Sequence, residues 1–281
     1  MRPLRWRGWF WALALVGLLT ACGSSTVRWP GAGPGGETTP TASPVTLTVS
    51  AAASLNHVFP KIAALWEQET GHRVALNLGS SGQLAQQIEQ GAPVDLLVSA
   101  NRQFIEDLDA QGLMVSDTKA LYGVGRLTLW QRQGSTLDIQ TLADLMQPAV
   151  RRVAIANPDY APYGVAAREA LQAAGLWEAI QPKLILGADI QQTQQYAESG
   201  NVEVALVALA TSVERPGRWV LVPEELHNPL EQMLAVPKNA PHPEEAKQFA
   251  AFINSERGRP LMRQYGFLLP GEAPVAEVTD E

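Results

Sequence analysis

Cysteine is almost missing from this chain: among 281 residues only Cys22 is present, so no internal disulfide can form. Histidine is nearly as scarce. His57, His72, His227 and His242 lie far apart, a spacing that suits surface or capping roles better than zinc ligation. Charged residues make up 17% of the chain, and acids outnumber bases to give a formal charge of −7. That balance disfavours nucleic acid as a partner and attracts no anion from a distance. The nucleophile elbow G-x-S-x-G, the zinc motif H-E-x-x-H and the phosphate loop G-x-x-x-x-G-K-[ST] are all absent. Asp95 and Asp189 have no evident acid–base partner, so nothing marks an enzyme. The longest apolar run, residues 9–19, is too short for an ordinary membrane span.

What the N-terminus does contain is an export signal. Arg2, Arg5 and Arg7 precede that apolar run, and Leu19-Thr20-Ala21-Cys22 follows it as a lipobox. The expectation is a signal peptide over residues 1–21, acylation at Cys22, and an exported protein tethered to the membrane by lipid. Residues 22–44 are rich in Gly, Ser, Thr and Pro, with too little apolar surface to offset their ordering entropy, and read as a disordered linker. Loss of the three leader arginines makes the remaining chain more acidic still. Any anion site must therefore rely on local dipoles.

Beyond the linker, apolar residues alternate at Val45, Leu47 and Val49, then recur at helical spacing through Leu55, Val58, Phe59, Ile62 and Trp66. Further strand–helix units follow over residues 74–88 and 94–108. This β-α-β-α rhythm with short connections predicts a mostly parallel sheet covered on both faces. Residues 126–130 read as a strand leaving the first unit. A second α/β unit then has strands at 152–156, 183–186 and 203–208, and helices at 164–174 and 190–199. Residues 219–222 and 232–236 read as returning segments, and helices at 244–253 and 257–265 rejoin the first unit. The expected organisation is lobe 1 over 45–125 and 233–270, lobe 2 over 126–232, and a flexible tail over 271–281. A ligand cleft lies between the lobes.

Two serines stand where a strand gives way to a helix: Ser54 in TLTVSAAASLNHVF (46–59) and Ser81 in VALNLGSSGQLAQQI (74–88). The N–H groups of a helix's first turn lack intrahelical partners and carry partial positive charge. Two such ends at one sheet edge would form a neutral cage of donors for a small anion. Ser54 fits equally a plain helix cap, and the 79–82 turn a plain tight turn. Gly79 and Gly82 would let a ligand reach backbone N–H groups without a Cβ in the way. In NPDYAPYG (157–164), two prolines stiffen a loop that ends at a helix. Tyr163 is there either an aromatic plug or a donor, through hydroxyl or N–H, facing the serines. Ile190 opens another helix and could present its N–H likewise. Tyr160, Tyr163 and Tyr196 leave a ferric site barely open.

The segments AAASL (51–55), GSSG (79–82), QIEQGAPVDLLVSA (87–100), Asn157-Pro158 and Tyr265-Gly266-Phe267 together resemble the molybdate-binding proteins of ABC transporters, in order from about residue 45 to 270. The resemblance implies an α/β, two-lobed periplasmic-binding-protein fold (type II) that closes on molybdate or tungstate, holding the anion with serine hydroxyls and backbone N–H groups. Carried over by position, Ser54 and Ser81 match the first-lobe serines. Tyr163 matches a position that is alanine in one branch and tyrosine in another, and Ile190 a backbone donor. Where some members carry a ligand-binding tyrosine, this chain has Ala208, whose role Tyr163 could take over. The resemblance further implies an ABC permease and its ATPase as partners, a monomer, no cofactor beyond the ligand, and no catalysis. The nearest alternatives are a receptor for sulfate, phosphate, ferric ion or an organic anion; a cleft enzyme is more distant.

Overall fold

Leu47, Val49 and Ala51 alternate into the core to make β1 (Thr46–Ala52), the centre of the first lobe in a computed structural model that describes residues 43–272. The leader, Cys22, nearly all of the linker and most of the tail lie outside the described residues. A 3-10 turn (Ala53–Leu55) leads to α1 (Val58–Thr70), which buries Phe59, Ile62 and Trp66 and stops at Gly71 in the left-handed region, φ 75°. Full burial of side chains this size contributes about 1.5–3 kcal/mol each. Then come β2 (Arg73–Gly79), α2 (Ser81–Glu89), β3 (Leu96–Ser99), α3 (Arg102–Ala110) and β4 (Ala120–Gly125).

The chain crosses at Arg126 into β5 (Leu127–Arg132), and the second lobe continues with β6 (Val153–Ala156), α4 (Pro162–Ala173), α5 (Trp177–Ile180) and β7 (Leu184–Gly187). It is completed by α6 (Ile190–Glu198), β8 (Val204–Ala208), α7 (Leu209–Ser212) and β9 (Gly217–Leu221). The chain returns through β10 (Leu230–Ala235), α8 (Pro243–Ile253) and α9 (Gly258–Gln264).

Each lobe holds a five-stranded sheet, ordered β2-β1-β3-β10-β4 and β7-β6-β8-β5-β9. The inner strands are parallel: β1 with β2 and β3, β6 with β7 and β8. The strand that follows each crossing, β5 or β10, enters antiparallel, so both sheets are mixed. The return crossing falls between Leu221 and Leu230, ahead of the expected point at 233, because β10 pairs in lobe 1 from Leu230 onward.

β4 has no clear signature in its own residues. Gly123 and Gly125 give it low strand propensity, and the fold uses both as space. A Cβ at Gly123 would press on Phe267, and one at Gly125 would overlap the Tyr163 phenol oxygen. Register decides where the site lies. Ala52 pairs with Gly79 at the carboxyl ends of β1 and β2, and Ala156 pairs with Gly187 at those of β6 and β7. Each lobe thus delivers two neighbouring strand ends, and the turns that follow them, to the cleft.

Candidate ligand site

Those four turns meet around one small cavity of about 10 Å³. Ser54, Ser81, Tyr163 and Ile190 all line it, together with Ala52, Ala53, Gly79, Ser80, Ala100, Ala161 and Pro162. Clefts for drug-sized organic ligands run to roughly 300–1,000 Å³. This one suits a small ion. No charged side chain is among the lining residues.

Ser54 is inside the 3-10 turn after β1, 1% exposed, and its Oγ has no hydrogen-bond partner. It caps no helix: His57 occupies the position before α1. A buried hydroxyl without a partner costs about 1–3 kcal/mol unless an acceptor reaches it. Ser81 is the first residue of α2 and fully buried; its Oγ accepts the Ala100 N–H at 2.9 Å. That bond uses a lone pair and leaves the hydroxyl proton without an acceptor among the described residues. The two hydroxyls are therefore both available as donors.

The backbone adds to them. α2, α4 and α6 all begin at the cavity, and the N–H groups of Ser81, Tyr163 and Ile190 find no protein acceptor among the described residues. Pro162 opens α4 at a position whose N–H would have had no partner anyway. Asp189 caps α6 through the Gln192 N–H at 2.8 Å and does not line the cavity. Three helix N-termini and two free hydroxyl protons converge, and each helix end carries about half a positive charge. Such an arrangement of donors can serve an anion with several acceptor oxygens.

Tyr163 reaches beyond its own lobe. Its hydroxyl accepts the Gln232 Nε2–H at 3.0 Å, and Gln232 Oε1 accepts the Tyr122 hydroxyl at 2.7 Å. Burial holds the Tyr163 phenol well above the usual tyrosine range, so it stays protonated. Ser54 lies close enough to offset that rise slightly, although its Oγ meets no partner in hydrogen-bond geometry. Tyr160 and Tyr196 do not line the cavity, and no group of three or more His, Cys, Asp or Glu among the described residues could hold a metal ion. Ala208 is fully buried outside the cavity, and its methyl group offers no donor.

Around the cavity the lobes are in contact. The Tyr160 carbonyl of lobe 2 accepts the Gly82 N–H at 3.0 Å and the Ser80 hydroxyl at 2.8 Å. Lys61 pairs with Glu214 at 2.6 Å, and Arg215 Nε donates to His57 Nε2 at 3.2 Å. A Cβ on Gly82 would lie 2.7 Å from the Tyr160 oxygen. Gly82 thus makes room for the opposite lobe, whereas a Cβ at Gly79 would meet only ordinary contact with Leu84 at 3.4 Å. Sequence reasoning missed Ser80, Tyr122 and Gln232, and weighed Tyr160 only as a ferric ligand rather than through its carbonyl. The one usable signal was Gln232, a neutral polar residue that directly precedes the apolar second half of β10.

A family model described as bacterial extracellular solute-binding protein matches residues 47–268. The molybdate-binding protein ModA of Rhodobacter capsulatus is 33% identical over 224 residues, covering 78% of this chain and 88% of that protein. YvgL of Bacillus subtilis, named as a candidate ABC transporter substrate-binding lipoprotein, is 30% identical over 79% of this chain and 86% of its own length. Among solved structures, the periplasmic molybdate-binding protein of Azotobacter vinelandii superposes with a TM-score of 0.76 at 28% identity, covering 80% of this chain and 99% of that one.

Proposed function

Since the chain belongs to the bacterial extracellular solute-binding proteins, in their molybdate-binding group, we propose that it is the extracytoplasmic receptor that captures molybdate or tungstate for an ABC transporter. One observation carries the reading: a small cavity with no charged lining, shared by helix-end N–H donors of both lobes and by the hydroxyls of Ser54 and Ser81. A tetrahedral dianion needs each oxygen bonded, since an unpaired buried polar group costs about 1–3 kcal/mol. Neutral donors meet that need without a charge-desolvation penalty of their own. In this reading Ser54 and Ser81 contribute hydroxyls, and Ser81, Tyr163 and Ile190 contribute backbone N–H groups. The protein binds and releases its ligand without transforming it.

The partners are then a permease and its ATPase, met by a monomeric receptor held at the membrane through acylated Cys22. Fatty-acid labelling of the Cys22→Ala variant at the wild-type level would remove the anchor from this picture. Sulfate shares the shape and charge of molybdate but is smaller, so a rigid cage leaves its oxygens too far from some donors. Calorimetry with molybdate, tungstate, sulfate and phosphate tests the reading: the first two bind at least tenfold tighter. Equal or tighter binding of sulfate or phosphate makes the protein a receptor for that anion instead.

A further inference from the structure

Gln232 is fully buried in β10, in a stretch where its neighbours Met233, Leu234 and Ala235 are apolar. Burying a primary amide is costly unless its donors and acceptor are used. Here the acceptor and one donor are used, the first within lobe 1 and the second across the lobe boundary: Oε1 accepts from Tyr122 of lobe 1, and Nε2 donates to Tyr163 of lobe 2. Tyr122 also approaches the Ser99 carbonyl at 3.1 Å, which fixes its hydroxyl within lobe 1. The sheet itself accommodates the side chain, since the pairing of β10 with β4 shifts register between Gln232 and Met233. Gly125, the last residue before the first crossing, lies directly beneath the contact. A Cβ there would occupy the place of both the phenol oxygen and the amide nitrogen.

We propose that Gln232 is a positioning residue for the anion cavity: by donating to the Tyr163 hydroxyl it forces the phenol proton toward the ligand side, and it ties the lobes together only when they are closed. A hydroxyl that accepts one hydrogen bond has its single proton left to give elsewhere. No acceptor among the described residues takes that proton, while Ser54 Oγ and the cavity lie beside it. An anion in the cavity reinforces this orientation, because it favours the amide with its N–H end turned inward. The reversed amide would accept the phenol proton and present only lone pairs to the anion. Tyr163 thereby supplies, from the opposite wall, the hydroxyl that Ala208 cannot. This inference rests on the oxyanion reading of the cavity.

The test is a double-mutant cycle on full-length protein, with molybdate binding followed by calorimetry and stopped flow. Gln232→Met keeps the volume and removes the donor, so affinity falls roughly 3- to 10-fold, nearly all in a faster dissociation rate. In the Tyr163→Phe background the same change has little further effect, because the bond it would break is already gone. Gln232→Glu turns the phenol proton away and adds a negative charge near the anion, so its loss exceeds that of Gln232→Met. Melting of the ligand-free protein separates this from a general packing defect: Gln232→Met lowers the ligand-induced rise in melting temperature more than the ligand-free value. Additive losses in the cycle, or wild-type affinity in Gln232→Glu, overturn the inference while the oxyanion reading stands. If wild-type protein binds none of the four anions, that reading fails and the inference falls with it.

Discussion

Ser54 and Ser81 look alike in sequence but hold their protons free in different ways. Ser54 Oγ has no partner, whereas Ser81 Oγ already accepts the Ala100 N–H. A hydroxyl donating to a charged acceptor is worth about 1.5–3 kcal/mol, so Ser54→Ala and Ser81→Ala each weaken molybdate binding by roughly 10- to 150-fold. Stability separates the two. Ser81→Ala also strands a buried N–H and lowers ligand-free stability by about 1–3 kcal/mol, while Ser54→Ala leaves it unchanged or slightly raised. Denaturant melts of both variants check this, and equal melts would remove the assigned difference.

His57 adds a pH dependence at the same scale. Burial first, and then the Arg215 guanidinium, hold its imidazole below the ordinary histidine range, opposed by Glu214 and Glu198, with Lys61 adding to the depression. Its Nε2 accepts from Arg215 only when neutral. Freed of that burial and contact, the imidazole moves back toward the ordinary histidine range, so the open form takes up a proton at a pH where the closed form does not. The contribution is fully present above about pH 7 and is lost as pH falls below about 6.5. Molybdate affinity is therefore expected to weaken as pH falls below about 6.5, and His57→Gln to flatten that slope. A slope unchanged in the variant would assign it to another group.

At the scale of elements, α2 does two jobs from one turn. Its first N–H lines the cavity while its second, on Gly82, binds the Tyr160 carbonyl of the other lobe. A Cβ at Gly82 would meet backbone atoms of Tyr160, which cannot swing aside as a side-chain tip could. Gly82→Ala therefore folds normally, since alanine favours the helix, yet fails to close. Affinity falls at least tenfold with ligand-free melting preserved or improved. Wild-type affinity would show that the lobes meet elsewhere in solution. The opening of α4 is equally local in origin: Pro162 starts it, and Tyr163 follows with a first-turn N–H at the cavity.

At the scale of the molecule, two crossings join the lobes, at Arg126 and between Leu221 and Leu230. Contacts across the cleft, including Lys61–Glu214 and Tyr160 on Ser80 and Gly82, are available only to a closed form. A ligand bonded from both lobes favours that form by its difference in affinity for the two states. Small-angle scattering is expected to show a smaller radius of gyration on adding molybdate to wild type, and a reduced change for Gly82→Ala. One radius with and without saturating molybdate would rule out the hinge.

Most of the order of strands and helices, the serines at strand ends and the family likeness were legible in the chain, because helical stripes, alternation and glycine stops are local signals. Ser54, Ser81, Tyr163 and Ile190 could be named for the same reason: each is at a strand-to-helix turn, and one family pattern orders them. The sequence could not say whether Ser54 was a cap, because its lack of a partner depends on what the surrounding elements leave empty. Nor could it show β4, whose glycines mean space for Phe267 and Tyr163, or the return crossing, which is fixed by pairing with β3 and β4. Gln232, Tyr122 and Tyr163 are distant along the chain and meet only where two sheets face each other. Local chemistry put hydroxyl and N–H groups at the strand ends; the packing of one lobe on the other decided which of them share a cavity and which lack a protein partner.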